Sequence, residues 1–263
     1  MTDTHCHLAS RQFDADGDAV IARAAEAGVS RLVAIGTDLE DGPGVLALAG
    51  RHAGVYAAVG IHPCDVMDLS GPDWIDRIRA MAGDPKVAAI GETGLDYFHA
   101  PPPEVSVDVY HERQKACFHA QLKLAADLGL NVVVHTRGGS LPDASAMVAE
   151  FDGRLRAVFH CWVDDWATAR PLIERGHLIS FTGISTYKNA PVVAQCVREA
   201  LPGSFMFETD APYLAPLPHR GRRCEPAMVR LTAENAARLR NVPVDELIAE
   251  TELTAARFFH FSR

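Results

Sequence analysis

Histidine and carboxylate side chains recur at or just beyond the ends of short apolar runs in this chain. We call six of them the ligand set: His5, His7, Glu92, His135, His160 and Asp210. His5 and His7 lie in D-T-H-C-H, where strand geometry points the two histidines the same way and Cys6 the other. Imidazoles and carboxylates that converge suit divalent transition metals. The pattern therefore predicts a metal centre.

Two bound ions fit this ligand set better than one, because a single ion would leave donors unused. We expect Glu92 to bridge the ions, with His5, His7 and Asp210 on one side and His135 and His160 on the other. Bridged ions can activate an attacking water and hold the attacked centre. Glu92 and Asp210 are thus the predicted catalytic residues, with Asp210 as the general base; alternatively, Asp210 in D-A-P caps a helix.

Eight short runs rich in Val, Ile and Phe predict strands at residues 2–7, 31–36, 56–61, 87–91, 131–135, 156–160, 177–181 and 204–208. Helical periodicity fills the segments between them. Apolar strands that alternate with helices indicate a parallel sheet, and eight such units close into a (β/α)8 TIM barrel. An open doubly wound sheet would carry a glycine-rich turn after its first strand, where this chain has H-C-H. Barrel active sites lie at the carboxyl ends of the strands, where the ligand set falls.

The remaining segment, residues 227–259, predicts two C-terminal helices packed on the barrel, the second starting near Pro243 and Asp245. Since no linker-like stretch interrupts the pattern, we expect one domain over residues 1–263. Two longer connections, 96–104 and 212–225, are expected to shape the substrate cleft.

Composition narrows the class of protein. Of the 263 residues, 48% are hydrophobic and 22% charged, which is typical of a globular protein with a large core. The net charge of −9 disfavours general affinity for nucleic acid, so a polyanionic substrate must be held locally. With no leader before His5 and no long apolar stretch, we expect a cytoplasmic protein without a membrane or obligate protein partner. The six cysteines form no C-x-x-C pair, and Cys6 and Cys161 are expected to pack in the core.

Substrate contacts are predicted from polar side chains near the strand ends. The candidates are His62, Arg137, Lys188 and Arg220, because arginine suits bidentate contact with phosphate. Arg222 and Arg223 are better explained as surface charges. Asp96 is expected to orient a histidine ligand. Four aromatic residues, which also suit simple packing, are candidates for base stacking: Tyr97, Phe98, Trp162 and Tyr187.

The chain resembles the TatD family of metal-dependent hydrolases. The matching motifs are H-C-H-L at 5–8, G-I-H-P at 60–63, G-E-T-G-L-D-Y at 91–97, V-H-T-R at 134–137, F-H-C-W at 159–162, S-F-T-G at 180–183 and E-T-D-A-P-Y-L-A-P at 208–216. The resemblance implies that the ligand set holds metal. It also implies deoxyribonuclease activity on the 3′ ends of single-stranded DNA, with Mg²⁺ or Mn²⁺, while four imidazoles suit Zn²⁺ as well.

Departures from the family pattern flank the ligand set without altering it. They are Ala9, Gly138, Val163 and Cys224, and they bear on substrate fit. Two other functions remain open from the sequence. The same two-metal site could hydrolyse an ester or amide, such as an aminoacyl-tRNA ester or a lactam, or the chain could be a metal-bound scaffold without turnover.

Overall fold

A parallel sheet of eight strands, in sequence order, forms the centre of the molecule; the computed structural model describes residues 1–261. The strands are β1 (Thr2–Cys6), β2 (Arg31–Ile35), β3 (Val55–Val59), β4 (Val87–Asp96), β5 (Asn131–Arg137), β6 (Ala157–Phe159), β7 (Leu178–Phe181) and β8 (Phe205–Phe207). Helices cover the sheet, which confirms the predicted (β/α)8 barrel. The predicted domain end at residue 263 lies outside the described residues.

Helices follow the strands in the alternation that the sequence predicts. They are α1 (Gly17–Glu26), α2 (Gly42–Arg51), α3 (Trp74–Ala82), α4 (Val107–Leu128), α5 (Leu141–Ala149), α6 (Trp166–Glu174), α7 (Pro191–Glu199), α8 (Val229–Arg240) and α9 (Val244–Phe259). The longest, α4, begins where the Ser106 side chain accepts from the Val109 amide and ends at Gly129, whose φ of 66° is left-handed.

We call the carboxyl ends of the eight strands, taken together, the mouth of the barrel. Helix α4 fixes two of these strand ends. The buried Gln114 side chain pairs with both backbone groups of Asp96, at 2.9 Å each. Gln121 pairs in the same way with Ile61, at 2.8 and 3.1 Å. Because these amides satisfy buried backbone groups, they hold the loops after β3 and β4 in place.

One strand departs clearly from the sequence prediction. Strand β4 continues to Asp96 rather than ending at residue 91, so Glu92 lies within the strand, whereas the other strand ends agree within two residues. The pairing of β4 with β5 shifts register between Ile90 and Thr93. At Gly94 (φ 143°) a side chain would collide with the backbone of His135, so glycine permits this close approach.

Helix α9 closes the end of the barrel opposite the mouth. Phe258 and Phe259 pack with the inward-facing residues of the strands. The Asn131 side chain, at the start of β5, donates to the Phe258 carbonyl at 2.6 Å. Helices α8 and α9 thus confirm the predicted C-terminal pair. None of the helices in residues 1–261 combines the length and apolarity needed to span a membrane.

Side chains close the seam between β8 and β1, where the sheet has no extended backbone ladder. Asp3 is fully buried and accepts from the amide and the hydroxyl of Thr209, at 2.9 and 2.6 Å. The Thr4 hydroxyl donates to the Phe207 carbonyl at 3.0 Å. Beyond these contacts, the Asp210 amide donates to the His5 carbonyl at 2.9 Å. The seam therefore brings two members of the ligand set together.

Replacement of Thr209 by valine is expected to destabilise the protein, because Thr209→Val leaves Asp3 Oδ2 and the Ala211 amide without the Thr209 hydroxyl as a partner. The expected loss is about 1–3 kcal/mol in the free energy of unfolding, measured by denaturant titration. Thr2→Val is the matched control, since the buried Thr2 hydroxyl has no hydrogen-bond partner within residues 1–261. Equal effects of the two substitutions would show that the seam does not depend on the Asp3–Thr209 contact.

Candidate metal centre

The structure brings all six members of the ligand set together at the mouth. His5 Nε2 lies 3.3 Å from His7 Nε2 and 3.6 Å from Asp210 Oδ1. His7 Nε2 and Asp210 Oδ1 are 3.2 Å apart. Glu92 Oε2 lies 3.3 Å from His5 Nε2 and 3.6 Å from His7 Nε2. Ligand atoms around a tetrahedral ion with bonds of about 2.0–2.1 Å stand about 3.3 Å apart. These four side chains therefore have the spacing of one coordination shell.

The other oxygen of Glu92 faces a second group of imidazoles. Glu92 Oε1 lies 2.8 Å from both His135 Nδ1 and His160 Nε2, and these two nitrogens are 3.3 Å apart. Glu92 itself is buried, with 2% exposure. The carboxylate thus lies between two sets of donors, with one oxygen directed at each.

Backbone geometry near the strand ends places these side chains. His5 belongs to β1, whereas His7 follows it and donates its amide to the Ala211 carbonyl at 2.7 Å. Asp210 follows β8 in a left-handed conformation, with φ of 58°. A non-glycine residue in that region carries local strain, which is frequent at functional sites.

Two buried carboxylates, Asp96 and Glu208, contact the ring nitrogens of His135 and His160 that face away from Glu92. Asp96 Oδ2 lies 3.1 Å from His135 Nε2, so the Nε2 proton points to Asp96 and Nδ1 is left to face Glu92. Glu208 Oε1 lies 3.4 Å from His160 Nδ1, an ionic contact without hydrogen-bond alignment. Ser180 and the Cys161 amide orient Glu208, each donating at 2.7 Å.

Sequence reasoning assigned Asp96 to this supporting position but missed Glu208. By sequence alone, Glu208 is the last residue of a predicted strand and the first of the motif at 208–216, and neither pattern gives it a supporting role. The available signal was its place two residues before Asp210 in E-T-D-A-P, at the mouth end of β8.

Electrostatics at the centre favour positive charge between the carboxylates. Burial raises the pKa of Glu92, but the imidazoles of His160 and His5 lower it more, so the net pKa is well below the usual value. Burial lowers the pKa of His160, but Glu92 raises it more, and the net shift is strongly upward. The carboxylates therefore stay ionised and attract cations.

A divalent cation fits these residues. His5 Nδ1 is buried without a hydrogen-bond partner in the described chain. His5 Nε2 faces three possible metal-ligand atoms, which belong to His7, Glu92 and Asp210. The set of imidazoles and carboxylates also matches the preferences of Zn²⁺ and Mn²⁺.

His62 lies beside the ligand set. Its Nδ1 accepts from the Cys64 amide at 3.1 Å, so the proton of the neutral ring is on Nε2. That Nε2 lies 3.6 Å from Glu92 Oε1. Burial lowers the pKa of His62 to about 3. His62 therefore presents an N–H donor to the centre at neutral pH.

Of the other three predicted substrate contacts, Arg137 ends β5, whereas Lys188 and Arg220 lie in loops at the mouth. The Arg137 guanidinium lies 4.4 Å from the centre of the Phe98 ring. The Arg220 guanidinium lies 4.3 Å from the centre of the Tyr187 ring. Lys188 is exposed in the loop after β7. All three positive side chains remain accessible to a ligand.

Packing bears differently on the four aromatic candidates for base stacking. Trp162 is buried, with 3% exposure, so it cannot stack on a base, whereas Phe98 is 63% exposed. Tyr97 donates its hydroxyl to Asp143 at 2.8 Å and stacks on His111. Tyr187 donates its hydroxyl to the Ala215 carbonyl at 2.8 Å.

The surface interpretation of Arg223 is refined by an ion pair with Asp16 at 2.7 Å. Cys161 is only half-buried rather than packed in the core, because β6 ends at Phe159 and Cys161 lies beyond it with φ of 51°. Cys6 is buried and donates its thiol to the Val33 carbonyl, as core packing requires.

Comparison with known proteins gives consistent full-length matches. The family model described as TatD related DNase matches residues 2–260. The chain is 36% identical to the metal-dependent hydrolase YcfH of Escherichia coli K12, over 99% of this chain and 96% of YcfH. It is 34% identical to the 3′-5′ ssDNA/RNA exonuclease TatD of Cronobacter sakazakii, over 98% and 97% of the two chains. The solved structure of the TatD homologue YjjV of Escherichia coli K12 superposes with a TM-score of 0.88 at 27% identity, covering 99% and 98%.

Removal of divalent ions by a chelator should lower the Tm of the protein, and their return should raise it again. We expect this rise to depend on Glu92. Binding to the folded state alone adds about 2.7 kcal/mol when the ion is at a hundred times its Kd, so Mn²⁺ should raise the Tm of chelator-treated protein. Glu92→Gln is expected to lose most of this rise. Glu104→Gln, at an exposed position, is the matched control. An undiminished rise in Glu92→Gln would place the cation elsewhere.

Proposed function

Because this chain belongs to the TatD family of metal-dependent hydrolases, we propose that it is a two-metal phosphodiesterase that degrades single-stranded DNA from the 3′ end. The single observation that carries the proposal is that the two carboxylate oxygens of Glu92 face different pairs of histidines. Oε2 faces His5 and His7, and Oε1 faces His135 and His160. A carboxylate so placed is suited to bridge two divalent ions, Zn²⁺, Mn²⁺ or Mg²⁺.

The bound ions would supply Lewis-acid activation of the scissile phosphodiester and of the attacking water. Asp210 is placed to accept the proton of that water. Its Oδ1 lies 3.6 Å from His5 Nε2 and 3.2 Å from His7 Nε2, and the Asp210 side chain is 14% exposed. Burial raises the pKa of Asp210, but His7 lowers it more, so the carboxylate is ionised at neutral pH. An ionised, partly exposed oxygen beside the ligand set is the arrangement that a general base requires.

His62 acts as a neutral hydrogen-bond donor to a phosphate oxygen. Its Nε2–H faces the centre, and the low pKa excludes a role as a general acid near neutral pH. A donor aimed at the position where negative charge develops stabilises the transition state more than the bound substrate.

The chain as a whole has a net charge of −9, but positively charged side chains lie at the mouth. Arg137 and Arg220 flank the centre, and each is stacked on an aromatic ring that restricts its guanidinium. Phe98 is exposed beside Arg137, so the pair offers both a charge and a stacking surface. Single strands are held by such combinations of charge and aromatic faces. The relative in Cronobacter sakazakii is named a 3′-5′ ssDNA/RNA exonuclease, which supports this substrate class.

Removal of the base should strongly slow cleavage of a 5′-labelled single strand in Mn²⁺ or Mg²⁺. We expect the wild type to shorten the strand stepwise from its free 3′ end. Asp210→Asn should lower kcat by about 10²-fold or more, since general-base catalysis contributes that much. Asp14→Asn, at an exposed position without an ion pair among the described residues, should retain activity.

Two results would contradict the proposal. Absence of any metal-dependent cleavage by the wild type excludes nuclease activity. Hydrolysis of carboxylic esters or amides, with bis-p-nitrophenyl phosphate left intact under the same metal loading, would instead support the alternative of ester or amide hydrolysis.

Arginine contacts can be measured separately from catalysis. Arg137→Gln and Arg220→Gln should raise KM for single-stranded DNA with little change in kcat, because phosphate contacts bind the substrate and the transition state alike. Each lost contact should also reduce the salt dependence of binding by about 0.7 in the log–log slope. Arg222→Gln, at an exposed arginine without an ion pair in the described part of the chain, is the control. Unchanged slopes in both variants would show that DNA follows another path.

A further inference from the structure

A second group of metal-binding side chains lies beside the centre, outside the ligand set. We call Cys64, Asp96 and His99 the Cys64 cluster. Cys64 lies in a short 3-10 helix after β3, and His99 lies in the loop after β4. Since β3 and β4 are neighbours, both loops emerge at the same side of the mouth. One thiol, one carboxylate and one imidazole thus converge at the mouth, and the proposed hydrolysis uses neither Cys64 nor His99.

The distances within the Cys64 cluster suit one small cation. Cys64 Sγ lies 3.6 Å from His99 Nδ1, and ligand atoms about 2.3 and 2.05 Å from a tetrahedral Zn²⁺ stand about 3.55 Å apart. Asp96 Oδ2 lies 2.8 Å from His99 Nδ1, so this contact must lengthen by about 0.5 Å. The three ligand atoms all lie within 4.8 Å of one another.

We propose that Cys64, Asp96 and His99 bind a third divalent cation, a thiophilic ion such as Zn²⁺, next to the two ions held around Glu92. A thiolate with an imidazole selects Zn²⁺ over Mg²⁺, which prefers oxygen ligands. The His99 side chain is 49% exposed, so the fourth coordination position opens towards solvent. An open position of this kind admits water or a substrate group.

Binding releases one proton from the Cys64 cluster. Burial raises the pKa of the Cys64 thiol to about 12, so the cation must displace the thiol proton, which leaves to solvent as the S–metal bond forms. His99 gives up its Nδ1 proton and takes one at Nε2, keeping the ring neutral.

Asp96 connects the Cys64 cluster to the ligand set. Its Oδ1 accepts from the amides of Phe98 and His99, at 2.8 and 2.9 Å, which fixes the carboxylate. Its Oδ2 faces both His99 and His135. Substitution of Asp96 would disturb both the Cys64 cluster and the ligand set, so Cys64 and His99 are the residues to test.

Cobalt titration of the chelator-treated full chain tests the third cation directly. We expect a near-ultraviolet thiolate-to-Co²⁺ charge-transfer band in the wild type. Cys64→Ser should abolish the band and His99→Gln should weaken or abolish it, and each should bind one ion fewer by elemental analysis after Zn²⁺ loading. Cys161→Ser is the matched control, because Cys161 follows His160 yet lies outside the Cys64 cluster; it should retain both the band and the ion count.

Specific outcomes overturn this inference. The Cys64 cluster holds no cation if the wild type shows no thiolate band, if the band survives in Cys64→Ser, or if the ion counts are equal. Loss of the band in Cys161→Ser with retention in Cys64→Ser would assign the thiolate to the centre itself. Because these readouts do not involve DNA cleavage, a chain without nuclease activity but with the Cys64-dependent band would refute only the proposed function.

Discussion

Convergence of charged donors around the buried carboxylate of Glu92 is the constraint on which the rest of this structure depends. A carboxylate at 2% exposure is costly unless positive partners surround it, and imidazoles face both of its oxygens. The barrel makes this possible because parallel strands bring all their carboxyl ends to one mouth. Five strands, β1, β4, β5, β6 and β8, or the residues just after them, each contribute one or two members of the ligand set from distant parts of the chain.

The supporting contacts around the mouth limit how far those donors can move. Gln114 and Gln121 on α4 hold the strand ends that precede the loops, while Asp3 secures the seam next to His5 and Asp210. Asp96 and Glu208 face the outer nitrogens of His135 and His160. Preorganisation of this kind matters because metal affinity and catalysis both fall when ligands must be ordered on binding.

The charge distribution of this acidic protein is compatible with the polyanionic substrate that we propose. Screening limits the reach of exposed charges to about 8 Å at physiological salt, so the arginines at the mouth act locally while distant acidic residues contribute little. Arg223 is not among these arginines, because Asp16 and Glu225 pair with it on the side of α1. In the proposed function, attraction of the substrate therefore depends on Arg137, Arg220 and Lys188.

The sequence by itself determined the eight strands, the barrel and the ligand set, because apolar runs and the polar residues that end them are local patterns. It also determined that His5 and His7 share a face. The tertiary structure alone decided which oxygen of Glu92 meets which histidines, that Glu208 supports His160, that Trp162 is buried and that Cys64 meets His99. These contacts join residues from separate loops, whose paths have no periodicity and are set by packing against their neighbours. The extension of β4 to Asp96 belongs with them, since it follows from a register shift against β5.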